Sequence, residues 1–571
     1  MKEVSGMRLG IWNRNRLVRI TEGGEGVIYE YQGKILKLFK DGTDLQTKEK
    51  KVKLLLKKAL PPEVIRPLET VCDSQGRFIG YLMEKVSGNE IRMLANGKYV
   101  KANQICTRDI LGILVRMRQV LQAVHRAGMY VGDLNDRNVL FDRKGNIYLI
   151  DCDSWSVGGE NCGVVMDVYR DPLMQGNRFS ESTDLYAMSI LIWRLLTRIH
   201  PHGGTMEPDM NIPERMKRGI CVIDNPAVKI PRTIRSWKHL SPALVTALKA
   251  IFENRSRTLG QELEEMYGCL KYCETDGEYY DGRFGCCPLC NGDAALVMRP
   301  HRRETVRGLH LTAVLYPEDV ALVLNECCYL DKRGEIVNIR TGERQPRQEG
   351  VQYTFLKDGS ALLSKQDSFY FEVRGKICQI GKKLRSPVYT DENHIYYMTG
   401  GNRFCKLTVT EQGNGKTELA KCGYETYFAV EAGHFCLINR YQGRLIINCD
   451  GRNTELLYDD VIQAYGIRRD PESGGWLAVL EGGDGSFRTL VLQNGLLFDT
   501  DNLRYEGDPA NLCLWAHTLY IPMDGYIRGF SFEKQAYRDF ACDVVTPDSR
   551  LIRGNNEFMI VNDENIYMLK P

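Results

Sequence analysis

Hydrophobic and polar positions divide the chain into three zones. Up to residue 267, stretches alternating at period two are interleaved with stretches at helical period. Leu17–Ile20, Val27–Tyr31 and Lys34–Phe39 alternate as strands, with glycine-rich turns between them. Residues 44–58 predict a helix capped by Asp44. Val64–Val71 and Gly80–Val86 return to a strand pattern. Ile110–Ala127 predicts a long helix with Leu111, Leu114, Val115, Val120, Leu121 and Val124 inward, and Thr183–Thr197 is apolar enough to predict a buried one. Ala243–Glu253 and Leu259–Leu270 predict two more helices, while Val139–Asp142 and Ile147–Ile150 predict short strands around an Arg-Lys-Gly-Asn turn. The zone therefore predicts a small β-rich lobe with one helix, about residues 1–86, and a larger helical lobe, about 87–267.

The second zone, 268–293, is short and rich in Cys, Gly and Tyr. The third, 295–571, is strand upon strand, with turns of the DGS, GNG, DGR, GGDG and NGL kind. Similar hydrophobic–aromatic strands recur about every forty residues, the period of four-stranded propeller blades. Roughly 275 residues then predict a β-propeller of six or seven blades, with a pair of β-sandwiches as the alternative. His310, His394, His434 and His517 are isolated there and read as strand or loop histidines. By fold analogy, this half predicts partner recognition or regulation, not catalysis.

Composition narrows the class. The 571 residues exceed one core and predict two to four domains. Net charge is +3, from 76 basic and 73 acidic residues, which gives no electrostatic case for nucleic acid or membrane. The beginning, MKEVSGMRLGIW, carries no apolar signal region, and no run of about 18 apolar residues follows. The chain reads as cytoplasmic, so its 19 cysteines are expected as core thiols or metal ligands before disulfides.

Gly23, Gly24 and Gly26 lie between two strands in TEGGEGVIY, where bare backbone amides can meet a phosphate. Taken alone, the run reads better as a glycine-rich hairpin turn. Lys37, in ILKLF, is a lysine on an apolar strand and needs solvent or a charged partner. Glu49 on the following helix, plus a phosphate, is the expected partner. Further on, YVGDLNDRNVLF and LIDCDSW set Asn138 five residues after Asp133 and Asp151 thirteen after that. One aspartate to accept a hydroxyl proton, with an amide and a second aspartate as hard oxygen ligands flanking the same cleft, is the equipment of phosphoryl transfer.

On these motifs, residues about 15–270 resemble the protein kinase fold, an α+β bilobal architecture. EKKVKLLLKKALPPEV, GRFIGYLMEKVSG, GDLNDRNVLF and LIDCDSW resemble more narrowly the bacterial kinase-like proteins of tellurite-resistance-type operons. The resemblance implies that Gly23, Gly24 and Gly26 cover ATP and that Lys37 holds its α- and β-phosphates, paired with Glu49. It places Met83 at the gatekeeper and Glu84 to Val86 at the adenine hinge. It makes Asp133 the catalytic base, Asn138 and Asp151 the Mg²⁺ ligands, and Asp184 a buried brace of the catalytic loop. ATP and Mg²⁺ are the implied cofactors, and a protein hydroxyl, on Ser or Thr, is the implied acceptor.

Several positions depart from the pattern. Thr21 replaces the first loop glycine. Val131-Gly132 replaces the usual His-Arg, so activity is expected not to depend on activation-loop phosphorylation. Asn135 stands where many kinases place a phosphate-contacting lysine, and Asp171-Pro172-Leu173 stands for Ala-Pro-Glu. Cys152-Asp153 follows the metal aspartate, and Asp153 is expected either to touch Mg²⁺ or to stiffen the loop. A pseudokinase typically loses Lys37, Asp133 or Asp151, and all three are present. The favoured reading is an ATP- and Mg²⁺-dependent protein kinase. The alternative is an ATP-binding pseudokinase scaffold whose propeller binds a partner, and a small-molecule or lipid head-group acceptor is a third.

CLKYCETDGEYYDGRFGCCPLC (269–290) holds one knuckle pair, Cys287 and Cys290, with Cys273 fourteen residues before it. Cys269 and Cys286 are the candidates for completing a Zn²⁺ set, and Cys269 is preferred because it lies four residues from Cys273 on a helix face. The resemblance implies a Cys, His, Cys, Cys set, with Glu278 or Tyr279 at the histidine position. Reduced cysteines in a tight turn are the alternative.

Overall fold

The computed structural model describes residues 7–8, 17–290 apart from 23–24, 161, 164, 209 and 232, and 310–570 apart from short stretches between strands. The chain divides into two compact units, Met1–Pro300 and His301–Pro571.

The first unit begins with a six-stranded sheet in the order Met7–Arg8, Pro67–Cys72, Phe78–Met83, Lys34–Phe39, Gly26–Tyr31, Val18–Glu22. Lys34–Phe39 is thus a central strand, and Lys37 on it is buried. The predicted helix spans Leu45–Lys57, and the Asp44 side chain accepts the Thr47 amide at 3.2 Å as N-cap. Its inward residues are Lys48, Lys51, Val52 and Leu55, spaced three and four apart. The strand predicted from Val64 starts only at Pro67, since Pro61 and Pro62 lead into a turn whose Val64 amide bonds the Pro61 carbonyl.

The helical part is built on Thr107–Arg126 and Glu181–Thr197, which share one apolar core with Pro242–Phe252 and Glu262–Gly268. The last of these is shorter than its apolar pattern predicts, because Leu270–Tyr272 pairs with Tyr279–Asp281 as a hairpin. Val139–Phe141 and Ile147–Leu149 form the expected pair, joined by Asn89–Glu90. Among the described residues, no helix is long and apolar enough to cross a membrane.

The second unit contains seven four-stranded antiparallel sheets among its described residues. Six are runs of consecutive strands; the seventh adds His310–Ala313 to Arg550–Arg553, Phe558–Val561 and Ile566–Lys570. Strands buried on both faces serve two neighbours. In Trp476–Glu481, Trp476, Ala478 and Leu480 pack toward Ile438 and Ile447, while Leu477 and Val479 pack toward Leu519 and Ile521. Val320 and Val323 of the first sheet pack with Val561 and Ile566 of the last.

Candidate functional site

Lys37, Asp133, Asn138 and Asp151 come from a central strand, a loop and the ends of two short strands. Pairing Ile28 with Lys37 and Lys37 with Tyr81 sets those three side chains on one face of the sheet. Gly26 gives the strand pair its close fit: a Cβ there would stand 3.0 Å from the Leu38 carbonyl and 3.2 Å from Lys37 Cε. Gly23 and Gly24 lie outside the described residues.

The loop Tyr130–Asn138 is held at both ends. Tyr130 and Ser156 exchange backbone hydrogen bonds, and the Ile150 amide donates to the Asn138 carbonyl at 3.0 Å, which seats Asn138 beside Asp151. Asp184 is fully buried and accepts the amides of Val131 and Gly132 at 2.8 Å each, with His125 Nε2 at 2.9 Å. Gly132 adopts φ +72°, and a Cβ on it would lie 2.8 Å from Cys162 Cβ. The site expected for an arginine therefore has no room for one, and its backbone conformation favours glycine.

Asp133 accepts Asn138 Nδ2 on one oxygen (3.0 Å) and the Met166 amide on the other (3.1 Å). Burial raises its pKa above the ordinary carboxylate value, against the pull of the Met166 amide. Asn135, at the position of the missing lysine, is buried; it accepts the amides of Arg137 and Asn138 and so shapes the loop. Asp151 adopts a left-handed conformation, φ 63°, which aspartate tolerates better than most residues. Its carboxylate is 35% exposed and pairs with Lys37.

Glu49 is not the partner of Lys37. It lies off the inward face of its helix and pairs with Lys53 at 2.8 Å, while Lys48 and Lys51 occupy the buried positions. The second carboxylate on Lys37 is Asp153, at 2.7 Å, which is completely buried and also accepts Lys48 Nζ (3.1 Å) and Tyr81 Oη (2.6 Å). Burial opposes the charges of Lys37 and Asp153, yet attraction prevails: Asp151 and then Asp153 hold Lys37 above its ordinary value, and Lys37 and Lys48 hold Asp153 well below the ordinary carboxylate value. Lys48 also pairs with Glu25, just before Gly26. Hydrophobic periodicity missed this set because it assigns lysines outward. The signal in the sequence was the EKKVKLLLKK register, in which Lys48 and Lys51 share the face of Val52 and Leu55.

Met83 is buried at the end of its strand, Glu84 is exposed and Val86 partly buried. Met83 and Val86 belong to one apolar cluster with Ile28, Ile35, Tyr148 and Ile150. Asp171 is anchored by a two-pronged pair with Arg257, 2.7 and 2.9 Å, holding the end of the segment that starts at Asp151.

The cysteine segment gathers Cys273, Asp276, Cys287 and Cys290, whose ligand atoms all lie within 4.8 Å of one another. Cys287 and Cys290 thiols point at Asp276 Oδ2 (2.9 and 3.2 Å), and the Cys273 and Cys290 sulfurs are 3.5 Å apart. The amides of Asp276 and Thr275 lower the Cys273 pKa. Three thiols and a carboxylate in two i, i+3 pairs fit a tetrahedral zinc donor set. Cys269 is not among them: it is exposed after the helix end, its carbonyl taken by the Gly282 amide. Cys286 is exposed too. Glu278 turns away to accept Thr107 Oγ1 at 2.7 Å and to pair with Arg235. The missed signal was Cys273-Glu-Thr-Asp276, with the same spacing as Cys287-Pro-Leu-Cys290.

No known family profile matches the chain. It is similar to "Protein kinase YegI" of Escherichia coli (strain K12), 27% identical over 204 residues, covering 32% of this chain and 31% of that protein. "Serine/threonine-protein kinase F" of Synechocystis is 26% identical over 132 residues, 22% of this chain and 26% of that protein. "Ribosomal protein S6 kinase-like 1" of Mus musculus is 30% identical over 106 residues, 17% and 20% of the two chains. The chain thus spans less than a third of the length of these relatives, and it is kinase-like.

Proposed function

We propose that this chain transfers the γ-phosphoryl group of ATP to a protein hydroxyl. The observation that carries the reading is the convergence of Lys37 from a strand, Asp133 and Asn138 from one loop, and Asp151 from the end of a second strand around one site. Adenine enters the apolar cluster of Ile28, Met83, Val86 and Tyr148, with hinge backbone from Glu84 to Val86 beside it. Lys37 binds the phosphates, and the backbone around Gly23, Gly24 and Gly26 covers them. Asn138 and Asp151 hold Mg²⁺, which when bound neutralises charge on the phosphates. Asp133 orients the acceptor hydroxyl and takes its proton as the phosphorus–oxygen bond forms and ADP leaves. Burial of Asp133 suits this, since a raised pKa makes the carboxylate a better proton acceptor. Serine or threonine is the proposed acceptor, in line with the name of the Synechocystis relative.

The seven sheets of the second unit, with the last completed by His310–Ala313, support a closed seven-bladed propeller that binds a protein partner or substrate. The donor set Cys273, Asp276, Cys287 and Cys290 supports a structural Zn²⁺ site.

A second reading is favoured by Gly132: with no arginine possible there, the chain is an ATP-binding scaffold that signals through its second unit without turnover. The two readings part on one experiment. Purified protein is incubated with Mg²⁺ and γ-labelled ATP beside Asp133→Ala and Asp151→Ala. Label on the wild type alone supports transfer, while bound ATP without label leaves the scaffold. Label persisting in Asp133→Ala would remove that residue as the base.

A further inference from the structure

The helix Leu45–Lys57 presents lysines inward where an acidic residue was expected. Lys48 and Lys51 are 6% and 2% exposed. Burying two ammonium groups between a helix and a sheet is costly unless an opposite charge meets them. That charge comes from the loop after Asp151. Asp153, 0% exposed, accepts Lys37 Nζ at 2.7 Å, Lys48 Nζ at 3.1 Å and Tyr81 Oη at 2.6 Å. Lys48 also reaches the Asp153 carbonyl, and Lys51 the Ser154 carbonyl, each at 3.4 Å. Through Glu25, Lys48 extends the set to the turn before Gly26. The Asp153 carboxylate therefore ties the Lys37 strand, the helix and the Asp151 loop together.

The two carboxylates on Lys37 differ in access. Asp151 is 35% exposed at its side chain, open to a metal ion, whereas Asp153 is sealed and its oxygens are taken by three donors. We infer that Asp153 is the positioning residue of Lys37. It supplies, from the loop two residues beyond Asp151, the fixed negative charge that Glu49 does not supply from the helix, and Lys48 docks the helix on that same charge. The inference rests on the nucleotide-binding reading above. It assigns Asp153 no contact with nucleotide or metal. With Asp151 engaged by a metal ion, Asp153 would remain as the partner that keeps Lys37 extended toward the phosphates.

The test uses the full chain as wild type, Asp153→Asn, Lys48→Met and Glu49→Gln. Affinities for Mg·ATP and for adenosine are measured by calorimetry, and hydrogen exchange of residues 45–57 is measured without nucleotide. Adenosine lacks the phosphates that Lys37 binds, so it separates loss of positioning from general damage. Asp153→Asn is expected to weaken Mg·ATP at least about tenfold, with adenosine within about twofold. It is also expected to speed exchange in 45–57. Lys48→Met should speed that exchange with a smaller loss of ATP affinity, and Glu49→Gln should change neither. Equal loss of ATP and adenosine in Asp153→Asn, or a Glu49→Gln loss as large as that of Asp153→Asn, overturns the assignment. A wild type that binds no Mg·ATP removes the phosphotransfer reading. The tie between Asp153 and the helix is then judged by exchange alone, where an unchanged helix overturns it. Should Asp153→Asn fail to fold, exchange in Lys48→Met decides the same point.

Discussion

Asp184 shows how one side chain sets a functional loop. It is fully buried, and it faces two backbone amides and an imidazole nitrogen. Asp184→Asn keeps the size but replaces one acceptor oxygen by a donor, so an amide of Val131 or Gly132 loses its partner. The expected cost is about 3 kcal/mol, in the upper range for a buried unmet donor beside a lost charge. Urea unfolding of the first unit checks it, and phosphoryl transfer should fall with it because Asp133 follows Gly132 directly. Asp133, Asn138, Asp151 and Lys37 were all legible as residues, because spacing along the chain carried them. Glu49 was misread. Its matched position in the sequence is not its position in space, since the buried face of this helix is carried by Lys48, Lys51, Val52 and Leu55.

At the scale of elements, caps and turns were the readable part. Asp44 caps its helix as the sequence indicates, whereas the helix read from Thr183 starts at Glu181, capped by Ser180 accepting the Thr183 amide. The hairpin Leu270–Tyr272/Tyr279–Asp281 was hidden, because apolar positions at helical spacing from Leu259 to Leu270 carry the helical pattern past the helix end at Gly268. That hairpin presents Cys273 and Asp276 to Cys287 and Cys290. Metal analysis of the purified chain is expected to find about one zinc, with three thiolates and one carboxylate as ligands. Asp276→Ala should lower zinc retention and the melting temperature, whereas Cys269→Ser should leave both unchanged. Equal zinc retention in Asp276→Ala, or loss in Cys269→Ser, would return the fourth ligand to Cys269. Because Glu278 in the same hairpin holds Thr107 and Arg235, chelation should also loosen the start of Thr107–Arg126, readable as faster hydrogen exchange there.

For the whole molecule, the sheet pattern of the second unit makes its beginning and end interdependent. His310–Ala313 pairs with Tyr567–Lys570, so a fragment starting at residue 316 lacks the outer strand of the last sheet. Its new edge, Ile566–Lys570, would expose unpaired backbone groups. The 316–571 fragment is expected to melt at least about 5 °C below the 301–571 fragment and to aggregate more readily. Equal melting of the two would argue against closure by this strand. The forty-residue recurrence made a multi-sheet unit legible, but not which strand completes which sheet, since pairing of residues 254 to 260 positions apart leaves no local trace in either segment.

By itself, the sequence determined what local rules govern. Period-two and helical patterns placed most strands and helices, and fixed spacing singled out Lys37, Asp133, Asn138 and Asp151, which the fold brings together. Tertiary structure alone decided the pairings. It brought Asp153 to Lys37 across 116 positions and to Lys48 across 105, turned Glu49 away, and replaced Cys269 by Asp276. The reason is physical. A buried charge must find its counter-charge wherever the fold delivers one, and that choice depends on three-dimensional proximity and desolvation, neither of which is written in neighbouring residues.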